Sequence, residues 1–271
     1  MTTAPVSTSL LQNKHVVIFG AGGEVGSAVA KEFAAQGATV FLSGRRLASV
    51  EQVAADIRQV DGKALAAEVD ALDEQAVQTY LDRVAKEAGS IDILLNVTGP
   101  QPKDYGNGTG TLELPLEQFL LPLTTLVPSQ FITARAAARH MIGQHSGVIL
   151  FLTASPARGM ANGSAIGSAF GAMESLLRCL ASDLSPQGIR VVGLRSGGML
   201  ETRTLQQSVE NVARQLQISK EQVVSVIEQA YLLKHHATVA DTAKLLAFLA
   251  SDGAATITGA IMNASSGMIL D

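Results

Sequence analysis

The sequence predicts one α/β domain, a parallel, doubly wound sheet with helices on both faces. Three observations lead there. Short runs of apolar, often β-branched residues alternate with longer stretches of helical periodicity along most of the 271 residues. The short runs are continuously apolar, as in strands covered on both sides. Strands that alternate with helices connect by crossovers, which makes the sheet parallel. The length suits a single large domain of this architecture, and no linker, internal repeat or low-complexity segment divides it.

The elements follow in order. A strand is expected at 15–19 and a helix at 24–36, then a strand at 38–43 and a helix at about 47–60. Further strands are expected at 64–69, 91–96, 148–153 and 189–194, separated by helices near 73–88, 124–144, 164–184 and 239–250. The region 199–236 carries helical patterns with no strand. It is expected to run over the carboxyl edge of the sheet as a lid, where such folds bind ligands. Residues 1–13 are set apart as an N-terminal tail and 14–271 as the domain.

Composition narrows the function classes. A hydrophobic fraction of 47% and a charged fraction of 16% describe a globular chain with a large core. The formal charge of -4, with no run of Lys or Arg, offers no basic face to nucleic acid. No apolar stretch reaches the ~20 residues of a membrane span, so no membrane partner is expected. The first dozen residues carry neither a basic residue nor a long apolar run, which excludes a secretion signal and makes the cytoplasm the expected location. Cys179, the one cysteine, falls in an apolar helical stretch and is read as a buried core residue. No His/Cys/Asp/Glu set has metal-ligand spacing, so no metal is expected.

The first strand runs directly into Gly20-Ala-Gly22-Gly23-Glu24-Val-Gly26 and then into the first helix. Glycine lets the backbone turn tightly and approach a pyrophosphate, while the helix start supplies free N–H groups and a positive dipole end. The alternative is a tight turn that binds nothing. Glu24 falls in the first helical turn, where the dipole favours a carboxylate. An outward pose, merely capping, is expected over an inward one that competes with phosphates. An acidic residue about 20 residues on would bind the ribose hydroxyl of NAD. This chain has Ser43-Gly44-Arg45-Arg46 there instead. Two guanidiniums suit a 2′-phosphate, so NADP is expected ahead of NAD; otherwise both arginines simply begin a solvated helix.

With these segments the chain resembles the short-chain dehydrogenase/reductase family, a Rossmann-type fold. Gly20, Gly23 and Gly26 match its Gly-x-x-Gly-x-x-Gly variant, and Asp70-Ala-Leu-Asp73 resembles the segment whose first Asp touches adenine. Asp92-Ile-Leu-Leu-Asn96-Val-Thr-Gly99 is similar to its Asp-x-Leu-Val-Asn-Asn-Ala-Gly strand, with the second Asn and the Ala replaced. Ile189-Arg-Val191, Ser196-Gly197 and Thr202 resemble the nicotinamide segment, with Ser196 in place of Pro. Leu249-Ala-Ser-Asp252 and Ile257-Thr-Gly259 match the ending, although its closing Asp-Gly-Gly is Ser265-Ser266-Gly267 here. The resemblance covers residues 14–271 and implies that Gly20, Gly22, Gly23, Gly26, Arg45, Arg46, Asp70, Asn96 and Gly99 hold the cofactor. It also implies a homodimer or homotetramer built through the small-residue helix 164–184 and the helix before it.

The resemblance also exposes a loss. The family moves its proton with a Tyr, lowered in pKa by a Lys one turn later, beside a Ser that orients the carbonyl and an Asn that supports a relay. Ile166 falls in the Tyr slot, Phe170 in the Lys slot and Leu126 on or near the Asn slot. Only the Ser slot keeps a hydroxyl, as Thr153 or Ser155. Tyr105, in the loop 100–110 with Lys103 and Asp104, is the candidate replacement acid; otherwise that loop is a flexible surface feature. Tyr231 with His235 and His236 is either a proton carrier or surface. Tyr80 is read as packing. Arg158 and Arg195 either face an anionic substrate or pair with carboxylates. Three readings follow. The first is an NADP-dependent oxidoreductase acting on a small organic molecule. The second is a non-catalytic nucleotide- or ligand-binding sensor or partner subunit. The third is a non-redox lyase or cyclase using the same pocket.

Overall fold

The computed structural model describes residues 9–271. Seven parallel strands form one sheet in the order β3-β2-β1-β4-β5-β6-β7. They are β1 His15–Phe19, β2 Thr39–Gly44, β3 Lys63–Glu68, β4 Ile93–Asn96, β5 Gly147–Ala154, β6 Ile189–Ser196 and β7 Ile261–Ala264. The helices are α1 Glu24–Ala35, α2 Leu47–Arg58, α3 Glu74–Ala88, α4 Leu116–Gln144, α5 Ser164–Leu184, α6 Arg203–Leu216, α7 Lys220–Ala230 and α8 Val239–Ala250.

Strand β1 shows why the strands read as unbroken apolar runs. Val17 and Phe19 point into a core shared with α3, α4 and α5. Val16 and Ile18 point the other way, into a core shared with α1, α2 and α8. Successive side chains leave opposite faces of a strand, and here both faces are roofed by helices. The order in which strands are added reverses at β1: β2 and β3 are laid down on one side, β4 to β7 on the other. The crevice at the carboxyl ends of β1 and β4 is therefore the switch point where ligands bind in such sheets.

Four expectations change, the first being a seventh strand, β7, paired beside β6 where no strand is expected. Helix α4 begins at Leu116, two turns ahead of the predicted 124, and runs through Pro122 and Pro128. Each proline removes a backbone N–H; the Oγ1 of Thr125 meanwhile donates to the carbonyl of Leu121 at 2.6 Å. Cys179 is exposed on α5, not buried. Residues 1–8 of the predicted tail lie outside the described residues, but Leu11 is fully buried against the α1–α2 side of the core. Between β6 and β7, α6 and α7 pack on each other through a small cluster of their own, Val209, Ala213 and Val223. Among the described residues no helix is long and apolar enough to cross a membrane, and no metal-binding group of His, Cys, Asp or Glu is found.

Candidate nucleotide crevice and active site

The glycine turn is fixed by its own chain. Gly20 has φ +82°, and a Cβ there would lie 2.9 Å from the Thr98 nitrogen. Gly20 therefore lets the turn lie against the loop leaving β4, at the switch point. A Cβ on Gly26 would stand 2.3 Å from the Gly20 carbonyl, so the start of α1 closes onto the turn only as glycine. The amides of Gly20 and Ala21 donate to the Ser43 carbonyl at 2.9 and 3.1 Å, which ties the turn to the end of β2. Helix α1 starts at Gly23 with no side-chain cap. Its first amides are the kind of free donors a phosphate takes up. The residues fit a pyrophosphate.

Arg45 and Arg46 follow β2 on the rim of this turn, both exposed. Asp70 is exposed beyond β3, its Oδ1 accepting from the Leu72 amide at 3.0 Å. Asn96 is different. It is buried, its Oδ1 accepts from the Thr98 amide and hydroxyl at 2.9 and 2.7 Å, and its amide donates to Thr133 at 3.2 Å. Gln130 adds a bond to the Asn96 carbonyl at 2.6 Å. This buried polar knot on α4 went unseen in the sequence, because residues 34 and 37 positions apart meet only in the fold. Gly99, at the exposed end of this segment, would meet Leu126 at 3.0 Å if it bore a Cβ.

Glu24 does not take the expected capping pose. Its two oxygens accept from the amide of Arg203 at 2.8 Å and from the Arg203 Nε at 3.1 Å. The carboxylate thus joins the first turn of α1 to the first turn of α6.

Around β5, β6 and the start of α5, apolar side chains stand beside polar groups that are paired within the chain. Ile166 is buried and Phe170 packs beside the same core face, on the first two turns of α5. Leu126 is buried there too. Thr153 donates to Glu174 at 3.1 Å, and Ser155 donates to the Ser196 carbonyl at 3.2 Å. Arg195 is buried and pairs through Nε and an Nη with both oxygens of Glu174, at 2.7 and 2.8 Å, and with Asp271 at 2.5 Å. Glu174 and Asp271 hold the Arg195 guanidinium charged, raising its pKa against the opposing effect of burial. Arg158 lies 3.6 Å from the same Asp271. Of the two readings of these arginines, the ion pairs hold.

Tyr105 is buried, and the loop around it is seated rather than a flexible surface loop. The Gly108 amide donates to the Asn162 carbonyl at 3.1 Å, and Gln215 of α6 donates to Thr109 at 3.3 Å. Burial pushes the Tyr105 hydroxyl up to about 12. Lys103 and Asp104 beside it are exposed. Tyr231 is also buried, and its hydroxyl donates to the Gly198 carbonyl at 3.0 Å, fastening the chain after α7 to the segment after β6. His235 is exposed and His236 half-buried. Tyr80 packs edge-on to Phe19 at 5.8 Å, inside the core.

A family model described as enoyl-(acyl carrier protein) reductase matches residues 20–269. The chain is 29% identical over 262 residues to 7alpha-hydroxysteroid dehydrogenase of Escherichia coli strain K12, covering 95% of this chain and 94% of that protein. It is 27% identical to meso-2,3-butanediol dehydrogenase of Serratia marcescens, covering 92% and 91% of the two. Among solved structures, an NAD+-bound xylitol dehydrogenase superposes with a TM-score of 0.87 at 26% identity, over 95% of this chain and 99% of that one. A 7alpha-hydroxysteroid dehydrogenase complexed with NADH and 7-oxo glycochenodeoxycholic acid gives 0.84 at 28% identity, over 99% of each chain.

Proposed function

Because the chain belongs to the short-chain dehydrogenase/reductase family of oxidoreductases, we propose that it is a divergent member using NADP(H) on a small organic carbonyl or alcohol. The observation that carries the nucleotide is the uncapped helix start at a glycine turn on the switch point. The turn and the first amides of α1 would take the pyrophosphate, Arg45 and Arg46 the 2′-phosphate, and Asp70 the adenine. NADP is favoured over NAD by those two arginines, although relatives of known structure hold NAD+ or NADH. When bound, the cofactor supplies or accepts a hydride.

Proton handling is the divergent part. We read Ile166 and Phe170 as standing in the Tyr and Lys slots, where neither can carry a proton. Reduction of a carbonyl leaves an alkoxide, costly in an apolar pocket until a proton reaches it. Tyr105 is our candidate donor. A hydroxyl held at about 12 stays in its donor form throughout the neutral range, although burial makes it a weaker acid than a free phenol. Assembly through α4 and α5 into a homodimer or homotetramer accompanies this reading, and Phe131 on α4 is 40% exposed for such a contact.

Fluorescence titration with NADPH, followed by a panel of carbonyl compounds, tests the proposal. Binding with oxidation supports it. Binding without oxidation replaces it with a sensor or partner subunit, and no binding removes both. A general acid contributes roughly 10²–10⁴ in rate, so Tyr105→Phe should lose turnover on that scale with the NADPH Kd unchanged. Turnover equal to the parent protein would reject Tyr105.

A further inference from the structure

We infer that Glu24 is an internal gate on the nucleotide crevice, an inference that rests on the nucleotide reading above. The strand order places β6 three positions from β1, with β4 and β5 between. At about 4.8 Å per strand, the chain leaving β6 must come back some ~14 Å to touch α1. It does so over the carboxyl ends of β4 and β5, the mouth of the crevice. The contact it makes there is the two-point bond from Arg203 to Glu24.

The chemistry of that bond matters as much as its place. Glu24 lies in the first turn of α1, and it accepts the backbone amide of the first residue of α6. A carboxylate is thus held between two helix starts, each the positive end of a dipole. These are the groups that a phosphate would seek. A phosphate approaching the start of α1 would compete with this carboxylate for the positive ends of the two helices.

The far side of the mouth is drawn in as well, through the bond from Gln215 near the end of α6 to Thr109 in the loop after β4. The segment 197–203 is anchored behind the mouth by Tyr231 on the Gly198 carbonyl and by Glu201, which accepts from the Val239 amide at 2.5 Å. On the nucleotide side, the tie to α1 runs through Glu24. Removing it therefore frees the mouth without dismantling the lid.

The test is NADPH titration of the full chain beside Glu24→Ala and Arg203→Ala, with amide hydrogen exchange of residues 199–206 in nucleotide-free protein. Glu24→Ala should lower the NADPH Kd by about 10-fold and speed exchange of the Arg203 amide. Arg203→Ala keeps the backbone bond and should tighten binding in the same direction, by less. That variant separates a gate from simple repulsion between Glu24 and phosphate, which would leave Arg203→Ala binding more weakly. Equal or weaker binding by Glu24→Ala, or weaker binding by Arg203→Ala, overturns the gate. If no variant binds NADPH, the nucleotide reading itself fails, and the gate fails with it. If all bind alike with unchanged exchange, the gate alone fails.

Discussion

The two halves of the crevice treat their polar groups in opposite ways. Around the glycine turn, α1 begins without a side-chain cap and Arg45 and Arg46 lie exposed. Around β5, β6 and α5, Thr153, Ser155 and Arg195 are each bonded to a partner from the same chain. A site prepared for a ligand leaves donors for it, whereas a site rebuilt for stability satisfies them internally. The contrast is one of degree, since Asn96 beside the turn is also bonded within the chain, and it is sharpest between the uncapped start of α1 and the Arg195–Glu174 pair.

The sharpest way to break this comparison is at Glu174. If the second half is a structural knot, Glu174→Ala leaves the Arg195 guanidinium buried with Asp271 alone. Loss of one partner of a buried pair costs about 3–5 kcal/mol, and Asp271 should hold the loss near the lower end. Denaturant unfolding should show it. A change below about 1 kcal/mol would mean that the knot is not holding the fold.

Next in size is Gly26→Ala. The added Cβ would sit 2.3 Å from the Gly20 carbonyl and 2.9 Å from the Ala21 Cα, so turn and helix must separate. Overpacking of this kind costs roughly 1–3 kcal/mol, and NADPH binding should be lost with it. Retained binding would remove the turn from the nucleotide site. Arg45→Ala and Arg46→Ala should do less. Each is expected to narrow the preference for NADPH over NADH by about 10-fold, or ~1.4 kcal/mol, with NADH affinity unmoved. A parallel loss for both cofactors would assign the arginines to general attraction.

Much of this was legible in the sequence, and the reason differs by element. Helices α5 and α8 fall on their predicted bounds, 164–184 and 239–250, and for α8 local chemistry marks the start. Thr238 forms a capping box with Asp241. Helix α4 starts early because prolines look like breaks when read locally. The exposure of Cys179 was hidden because α5 is small and apolar on much of its surface, so periodicity does not tell one face from another. The pairs that define the crevice were hidden for a simpler reason. Glu24 and Arg203 are 179 residues apart, and Thr153 and Glu174 are 21 apart; no local pattern couples them.

The smallest expected effect lies in the pH dependence of turnover. A tyrosine whose pKa a lysine lowers toward neutrality changes protonation as pH rises from 7 to 10, and the rate of reduction falls with it. Tyr105 has only burial acting on it, and burial raises its value to about 12. Its acidic form predominates well below that value, so kcat/KM for reduction should stay level from pH 7 to 10. The same shift has a stability consequence of definite sign. The folded value lies above the unfolded value of about 10, so ionisation of the unfolded chain draws stability away as pH climbs from 10 to 12, with no loss below. Level turnover fits a buried, unassisted phenol, whereas the alkaline loss of stability is shared with Tyr80 and Tyr231, whose hydroxyls burial also raises. A rate that falls near pH 8 would instead mean that another group, with an ordinary or lowered pKa, carries the proton. The catalytic half would then be less closed than its hydrogen bonds make it.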